Sequence, residues 1–392
     1  MGKTAKKAAK PYADFPLFLH TTGQWAKKIC GRMHYFGKDA TAAEAKYNTE
    51  KADLHAGRTP RLHPDGITVM ALANRFLSAK KAIVQSGELS PRTWSDYYGS
   101  CEYLVKKLGK NRQVDGLGSP DFERLRSGLA KKRGPVSLGN EIQRVRTLFK
   151  FAFEDGLIDK PVRFGATFKK PTRKVIRKAR NDIGPRMIGA EDLRRLLAAA
   201  GTPMKAMILL AANCGFGQTD ISSLPLEAID LEGGWIDFPR PKTGIGRRCP
   251  LWTETVEAIR ATIAKRPKPK AAADAGLAFV TKYGARFVRT SQKDKDKPAV
   301  PIDTIQNEFQ KLLTEIGINR YGLGFYAIRH TFRTVADASK DQPAVDHIMG
   351  HSDESMAARY REGIADERLK DVVKVVLAWL WPTVDTKSES VK

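Results

Sequence analysis

Four residues in one stretch of the chain have the types and spacing to act on a phosphodiester. The stretch runs from Tyr326 to Tyr360, YAIRHTFRTVADASKDQPAVDHIMGHSDESMAARY, and holds Arg329, His330, His351 and Tyr360. Arg329 can fork two N–H donors onto two phosphate oxygens. His330 and His351 can donate hydrogen bonds or move protons near neutral pH. Tyr360, nine residues after His351, offers a hydroxyl that can attack phosphorus and hold it covalently. A free phenol has a pKa of about 10, so it needs cationic neighbours to become a good nucleophile. Taken singly, these residues are ordinary, since an Arg-His pair usually lies on a solvated helix face and a Tyr is usually half-buried. Their combination around the Met349-Gly350-His351 turn is far more specific.

The elements that must position these groups lie between residues 188 and 382. Gly189, Glu191 and Asp192 open a helix with acids in its first turn. Met204 to Asn213 reads as an apolar helix, followed by Cys214-Gly215-Phe216-Gly217-Gln218-Thr219-Asp220-Ile221. Trp235 to Phe238 is a strand, and Pro241-Lys242-Thr243-Gly244 is the turn before Arg247-Arg248-Cys249. Ile305, Phe309, Leu312 and Leu313 mark a helix before the reactive stretch. After Tyr360, Leu369, Val372, Val373, Val376, Leu377 and Leu380 form an apolar helical stripe, either core of its own domain or an exposed seam for another protomer.

Together these segments closely resemble the C-terminal signature of tyrosine recombinases, the phage integrase family. There a His-x-x-Arg-His segment precedes a Leu-Gly-His turn, and the nucleophilic Tyr follows at this same spacing. The resemblance implies that Tyr360, Arg329, His330 and His351 are catalytic, and that Lys242 matches a hairpin lysine that protonates the leaving 5′ oxygen. Two positions depart from the pattern. The family's first arginine falls on Gly217, and the histidine of His-x-x-Arg falls on Tyr326. A phenol can still donate to a phosphate oxygen. The missing guanidinium is more serious, because losing one such donor costs about a hundred- to a thousandfold in other enzymes. Two rescues are open: backbone N–H groups at Gly217-Gln218, or Arg240, two residues before Lys242 and therefore on the same strand face.

The rest of the chain fits a polyanionic partner. Among 392 residues, 68 Lys and Arg stand against 43 Asp and Glu, a formal net charge of +25. No apolar run of about 18 residues is present to span a membrane, and the basic start MGKTAKKAAK lacks the apolar core of a secretory signal. The four cysteines are scattered and read as reduced, intracellular thiols with no zinc spacing.

Residues 1–60 read as a basic tail followed by a hairpin and a helix from Thr41 to about Leu54, with Lys27, Lys28 and Arg32 set among aromatic residues. The layout is similar to the arm-binding modules that precede some integrases. Residues 66–160 hold four helices, opened at Thr68, Ser90-Pro91, Ser119-Pro120 and Ser137, with Arg144, Arg146 and Lys150 on the fourth. In position and size this domain resembles the family's core-binding domain. Residues 161–187 read as a cationic linker carrying Lys169, Lys170, Arg173, Lys174, Arg177 and Lys178, broken by Pro171 and Pro185.

The expected fold is mainly α with small β-sheets (α+β): an arm module, a four-helix domain, a C-terminal domain to 382 and a tail at 383–392. The resemblance implies a site-specific recombinase that cuts and rejoins double-stranded DNA through a 3′-phosphotyrosyl link, without cofactor or metal. It also implies assembly into a tetramer on DNA and a cytoplasmic, nucleoid-associated location. The alternative is a DNA-binding relative whose turnover is lost through Gly217. A relaxing enzyme of the type IB topoisomerase kind fits less well, because the arm and core-binding layout belongs to integrases.

Overall fold

The computed structural model describes residues 10–55, 66–291, 298–351 and 362–382, and the chain divides into two units, Met1–Ile176 and Arg177–Lys392. In the first unit, strands β1 (Phe18–Leu19), β2 (Trp25–Ile29) and β3 (Arg32–Gly37) form an antiparallel sheet in that order. Helix α1 (Ala40–His55) covers one face, where Trp25, Ile29 and Phe36 are buried with Ala43, Tyr47 and Leu54. Strand alternation puts Lys27 on this covered face with Trp25 and Ile29. Its ammonium donates to the Tyr47 hydroxyl at 2.8 Å and lies 4.5 Å from that ring's centre. Lys27 thus packs against α1, whereas Lys28 and Arg32 stay exposed.

Four helices follow: α2 (Val69–Gln85), α3 (Pro91–Leu108), α4 (Ser119–Ala130) and α5 (Pro135–Glu154). Thr68 and Ser90 cap the first two through their hydroxyls. The third and fourth begin earlier than expected, capped at Gly118 and Gly134, with the Asp121 carboxylate taking the Gly118 N–H at 3.0 Å. Two of the α5 cations make contacts inside the domain. Arg144 pairs with Asp96 at 2.6 Å and Glu141 at 3.2 Å. Arg146 donates to the Phe168 carbonyl at 2.8 Å and stacks 4.8 Å over Phe164. Phe164 and Phe168, expected in the linker, thus belong to this helical core. Lys150 is exposed and pairs with Glu154.

Between the two prolines the linker is a helix, α6 (Arg173–Ile183), with no buried residue. Pro171 and Pro185 bound it instead of breaking it. Arg173, Lys174, Arg177, Lys178 and Arg180 fall at i, i+1, i+4, i+5 and i+7 and so share one side.

The second unit is built on α8 (Thr202–Cys214), whose residues from Ala206 onward are all buried. Around it pack α7 (Ala190–Ala199), α10 (Thr253–Ala264) and α12 (Tyr326–Ala336). The short α9 (Gln218–Ser222) leads to the antiparallel sheet β4 (Ile229–Asp230), β5 (Trp235–Asp237), β6 (Arg248–Pro250). Leu277 to Arg289 forms a turn closed between Thr281 and Ala285, then strand β7 (Val288–Ser291), which pairs with β8 (Val300–Asp303). Helices α11 (Thr304–Glu315), α13 (Gln342–Met349) and α14 (Asp366–Leu380) complete the unit. The α14 stripe of Leu369, Val372, Val373, Val376 and Leu380 is core of its own domain, which corrects the expectation of a sticky seam. Among the described residues, no helix is long and apolar enough to cross a membrane.

Candidate active site

Two helices end where the signature residues meet. Helix α8 stops at Gly215 (φ +63°) and α13 at Gly350 (φ +62°), both left-handed. A helix C-terminus leaves carbonyls without intrahelical donors and carries partial negative charge. Arg329, the fourth residue of α12, supplies those donors. Its Nη1 donates to the Gly215 carbonyl, and its Nη2 donates to the Met349 carbonyl at 2.9 Å. The side chain is 1% exposed, an unusual depth for a full charge. Burial, with Arg240 nearby, lowers its pKa.

Arg329 Nη2 also lies 2.9 Å from His351 Nε2. A guanidinium has no acceptor, so Nε2 accepts and the imidazole proton sits on Nδ1, which donates to Asp346 Oδ1 at 3.2 Å. His351 is therefore neutral, in agreement with a pKa lowered by burial and by Arg329. His330 faces outward and meets Tyr326 edge-on, ring centres 5.3 Å apart. Its pKa is lowered by burial, then by Arg186 and Arg329.

Gly217 has an extended backbone (φ −94°, ψ 175°) that any residue adopts, so backbone conformation does not demand glycine. Space restricts it instead. A Cβ there would lie 3.3 Å from Tyr326 Cε2 and 3.4 Å from Asp220 Oδ2. The two departures from the family pattern thus fit each other, the Tyr326 ring standing beside the bare Gly217 Cα. The Gly217 N–H donates to Asp220 Oδ2 at 2.7 Å, so that backbone donor is already spent.

Asp220 Oδ1 accepts from Arg247 Nη2 at 3.2 Å. Arg247 is 3% exposed, lies 4.0 Å from the centre of Phe216 and 5.3 Å from Phe238, and donates through Nε to the Phe238 carbonyl at 2.8 Å. Sequence reasoning passed over Arg247. The signal was strand alternation, which places it on the same face as buried Cys249. Asp346 was also missed; it sits five residues before His351, one helical turn back from the α13 terminus.

Arg240 lies half-buried against Gly350, its Nη1 3.4 Å from the Gly350 carbonyl. Lys242 stands exposed in the turn two residues on. Tyr360 lies outside the described residues. The structure therefore gathers Arg329, His351, Arg240, Tyr326 and Gly217, with His330 at the rim.

Among the described residues, this cluster is short of anions. Arg240, Arg247 and Arg329 face the carboxylates Asp220 and Asp346, and His351 is neutral. Among the described residues, Arg240 Nε, Arg247 Nη1 and Arg329 Nε are buried with no hydrogen-bond partner. Each such orphaned donor costs about 1–3 kcal/mol, so the cluster is suited to an incoming oxyanion.

Residues 186–365 match the profile of the Phage integrase family. No curated protein sequence matches the chain. Among solved structures, a lambda integrase dimer bound to a COC′ core site is similar at 14% identity, covering 90% of this chain and 96% of that one, with a TM-score of 0.56. A lambda integrase tetramer bound to a Holliday junction aligns at 13% identity over 89% and 98%, with a TM-score of 0.56. The Tn1549 transposon integrase in complex with a circular intermediate DNA aligns at 17% identity over 79% and 99%, with a TM-score of 0.55. At these identities the likeness is one of fold.

Proposed function

Because the chain carries a phage integrase family domain at residues 186–365, we propose that it is a site-specific DNA recombinase that breaks and rejoins strands through Tyr360. The observation that carries the reading is the convergence of three guanidiniums, each with a buried N–H unpartnered among the described residues, around the signature residues Arg329 and His351. A phosphodiester brings the charge and the acceptor oxygens this cluster lacks.

In the proposed step the Tyr360 hydroxyl oxygen forms a bond to phosphorus while the bond from phosphorus to the 5′ oxygen breaks. The product is a 3′-phosphotyrosyl link and a free 5′-OH. His330, held neutral by its surroundings, takes the phenol proton, and Lys242 gives a proton to the departing 5′ oxygen. Attack by another strand's 5′-OH reverses the step and completes exchange. Arg329 does not reach solvent as it stands, so its role is to neutralise charge from beneath the phosphate and to hold His351.

Duplex DNA is the proposed partner of both units. Lys28 on the open sheet face, exposed Arg32 at the start of β3, Lys150 on α5, Lys169 and Lys170, and the cationic side of α6 are the proposed phosphate contacts. The structural neighbours include dimers and a tetramer on DNA, and we extend assembly on DNA to this chain as part of the proposal. The second reading, a DNA-binding relative without turnover, draws on the guanidinium missing at Gly217. The deciding experiment is covalent trapping on a nicked duplex selected by the protein from a randomised pool. The recombinase reading expects a protein–DNA adduct with wild type and none with Tyr360→Phe, with DNA binding equal in both.

A further inference from the structure

We infer that Arg240, carried by the turn that extends β5 and β6, supplies to the scissile phosphate the guanidinium that position 217 lacks. This deepens the recombinase reading and rests on it. The backbone of Arg240 is fixed at the base of a tight turn. Its N–H donates to the Ile245 carbonyl at 2.8 Å, and its carbonyl accepts from Thr243 at 3.1 Å and Gly244 at 2.8 Å. One pair inward, the Phe238 N–H donates to the Arg247 carbonyl at 3.1 Å and continues the ladder toward β6. The turn therefore delivers its side chain from a defined place.

That side chain lies across Gly350. A Cβ at position 350 would fall 2.9 Å from Arg240 Cβ and 3.2 Å from Arg240 Cδ. Gly350 is thus required twice, for its left-handed φ and for the passage of the Arg240 stem. The stem leads the guanidinium to the Gly350 carbonyl, one residue from His351 and one from the carbonyl that holds Arg329. Its charge is felt at both, lowering the pKa of each.

Four further observations separate Arg240 from its rivals. Arg329 and Arg247 are 1% and 3% exposed, whereas Arg240 is half-buried and open to a ligand arriving from solvent. Both Nη groups of Arg329 are committed to protein acceptors, and Arg247 is committed to Asp220 and the Phe238 carbonyl. The backbone alternative is weakened because the Gly217 N–H is taken by Asp220. Among the described residues, Arg240 makes a single long contact of 3.4 Å through Nη1, so its guanidinium retains donors to spend on a phosphate. In the pentacoordinate transition state the two non-bridging oxygens carry more charge than in the diester, and a fork of N–H donors meets that charge.

The test uses the full chain on two nicked duplexes of the same selected sequence, one with a normal scissile phosphate and one with an uncharged methylphosphonate there. Wild type, Arg240→Ala, Arg240→Lys and Tyr360→Phe are compared for duplex affinity, melting temperature and single-turnover adduct formation. The inference expects Arg240→Ala to lose about a hundred- to a thousandfold on the phosphate, the range for loss of one charged-oxygen donor. On the methylphosphonate it should react as fast as wild type, and Arg240→Lys should recover part of the phosphate rate. If Arg240→Ala melts and binds like wild type yet loses equally on both duplexes, or loses less than about tenfold on the phosphate, Arg240 is not this guanidinium. Failure of the recombinase reading shows separately, as wild type indistinguishable from Tyr360→Phe on both duplexes.

Discussion

His351 Nε2 accepts a hydrogen bond from Arg329 Nη2 at 2.9 Å, and the opposite ring nitrogen donates to Asp346 at 3.2 Å. The histidine expected to act on substrate is thereby the clamp that holds a buried arginine. Removing it strands a guanidinium N–H. His351→Ala should destabilise the fold by about 1–3 kcal/mol, the cost of one unsatisfied buried donor. His351→Gln, whose amide oxygen can accept in its place, should recover part of that loss. Urea unfolding of the two variants checks this, and equal stability of His351→Ala and wild type would argue against the clamp.

The acid limb of cleavage should respond to Arg186. His330 has its pKa lowered by burial, Arg186 and Arg329, and its neutral form is the one that accepts the phenol proton. Cleavage should therefore persist below the usual histidine range and fall only as pH drops through the depressed pKa. Arg186→Gln removes one depressing charge, raises the His330 pKa and should move the acid limb to higher pH. A limb that stays in place, measured as single-turnover rate against pH, would take His330 out of the proton path.

Much of this architecture was legible in the sequence. Thr68 and Ser90 announced their helix starts, because cap chemistry is local. The apolar stripes of α2, α3 and α5 marked the core of their domain, because helical period is local too. What escaped was contact across distance. Nothing in the spacing of Arg144 reveals Asp96, 48 residues away, or that Arg247 packs against both Phe216 and Phe238. The α6 helix was hidden by its flanking prolines, which mark ends as readily as breaks. At the site, the type of each signature residue was readable, but that Arg329 would be spent on two helix-terminal carbonyls was not.

Lys169, Lys170 and the cationic side of α6 should together set the salt dependence of DNA binding. Replacing Lys169, Lys170, Arg173, Lys174, Arg177 and Lys178 with Gln should weaken affinity and flatten the plot of log K against log salt. The slope should fall by up to about 0.9 for each phosphate that is no longer neutralised. An unchanged slope would mean that the helix does not touch the backbone.

Helix α14 should matter for folding before it matters for assembly. Leu369, Val372, Val373, Val376 and Leu380 are 0–5% exposed, and Leu369→Ala should cost about 2–5 kcal/mol. Urea unfolding that shows a loss below about 0.5 kcal/mol, within the range of ordinary surface changes, would return α14 to the role of an intermolecular seam.

The central claim is that Tyr360 is the nucleophile and that the link is to the 3′ side of the break. The most direct measurement is to isolate the adduct formed on the nicked duplex, digest protein and DNA, and identify the joined peptide and nucleotide by mass spectrometry while labelling the free DNA end. The account predicts a nucleotide joined through its 3′-phosphate to the oxygen of Tyr360, with a 5′-OH on the released strand. An adduct at another residue, a 5′-phosphate linkage, or no adduct on any nicked form of the selected duplex would contradict it.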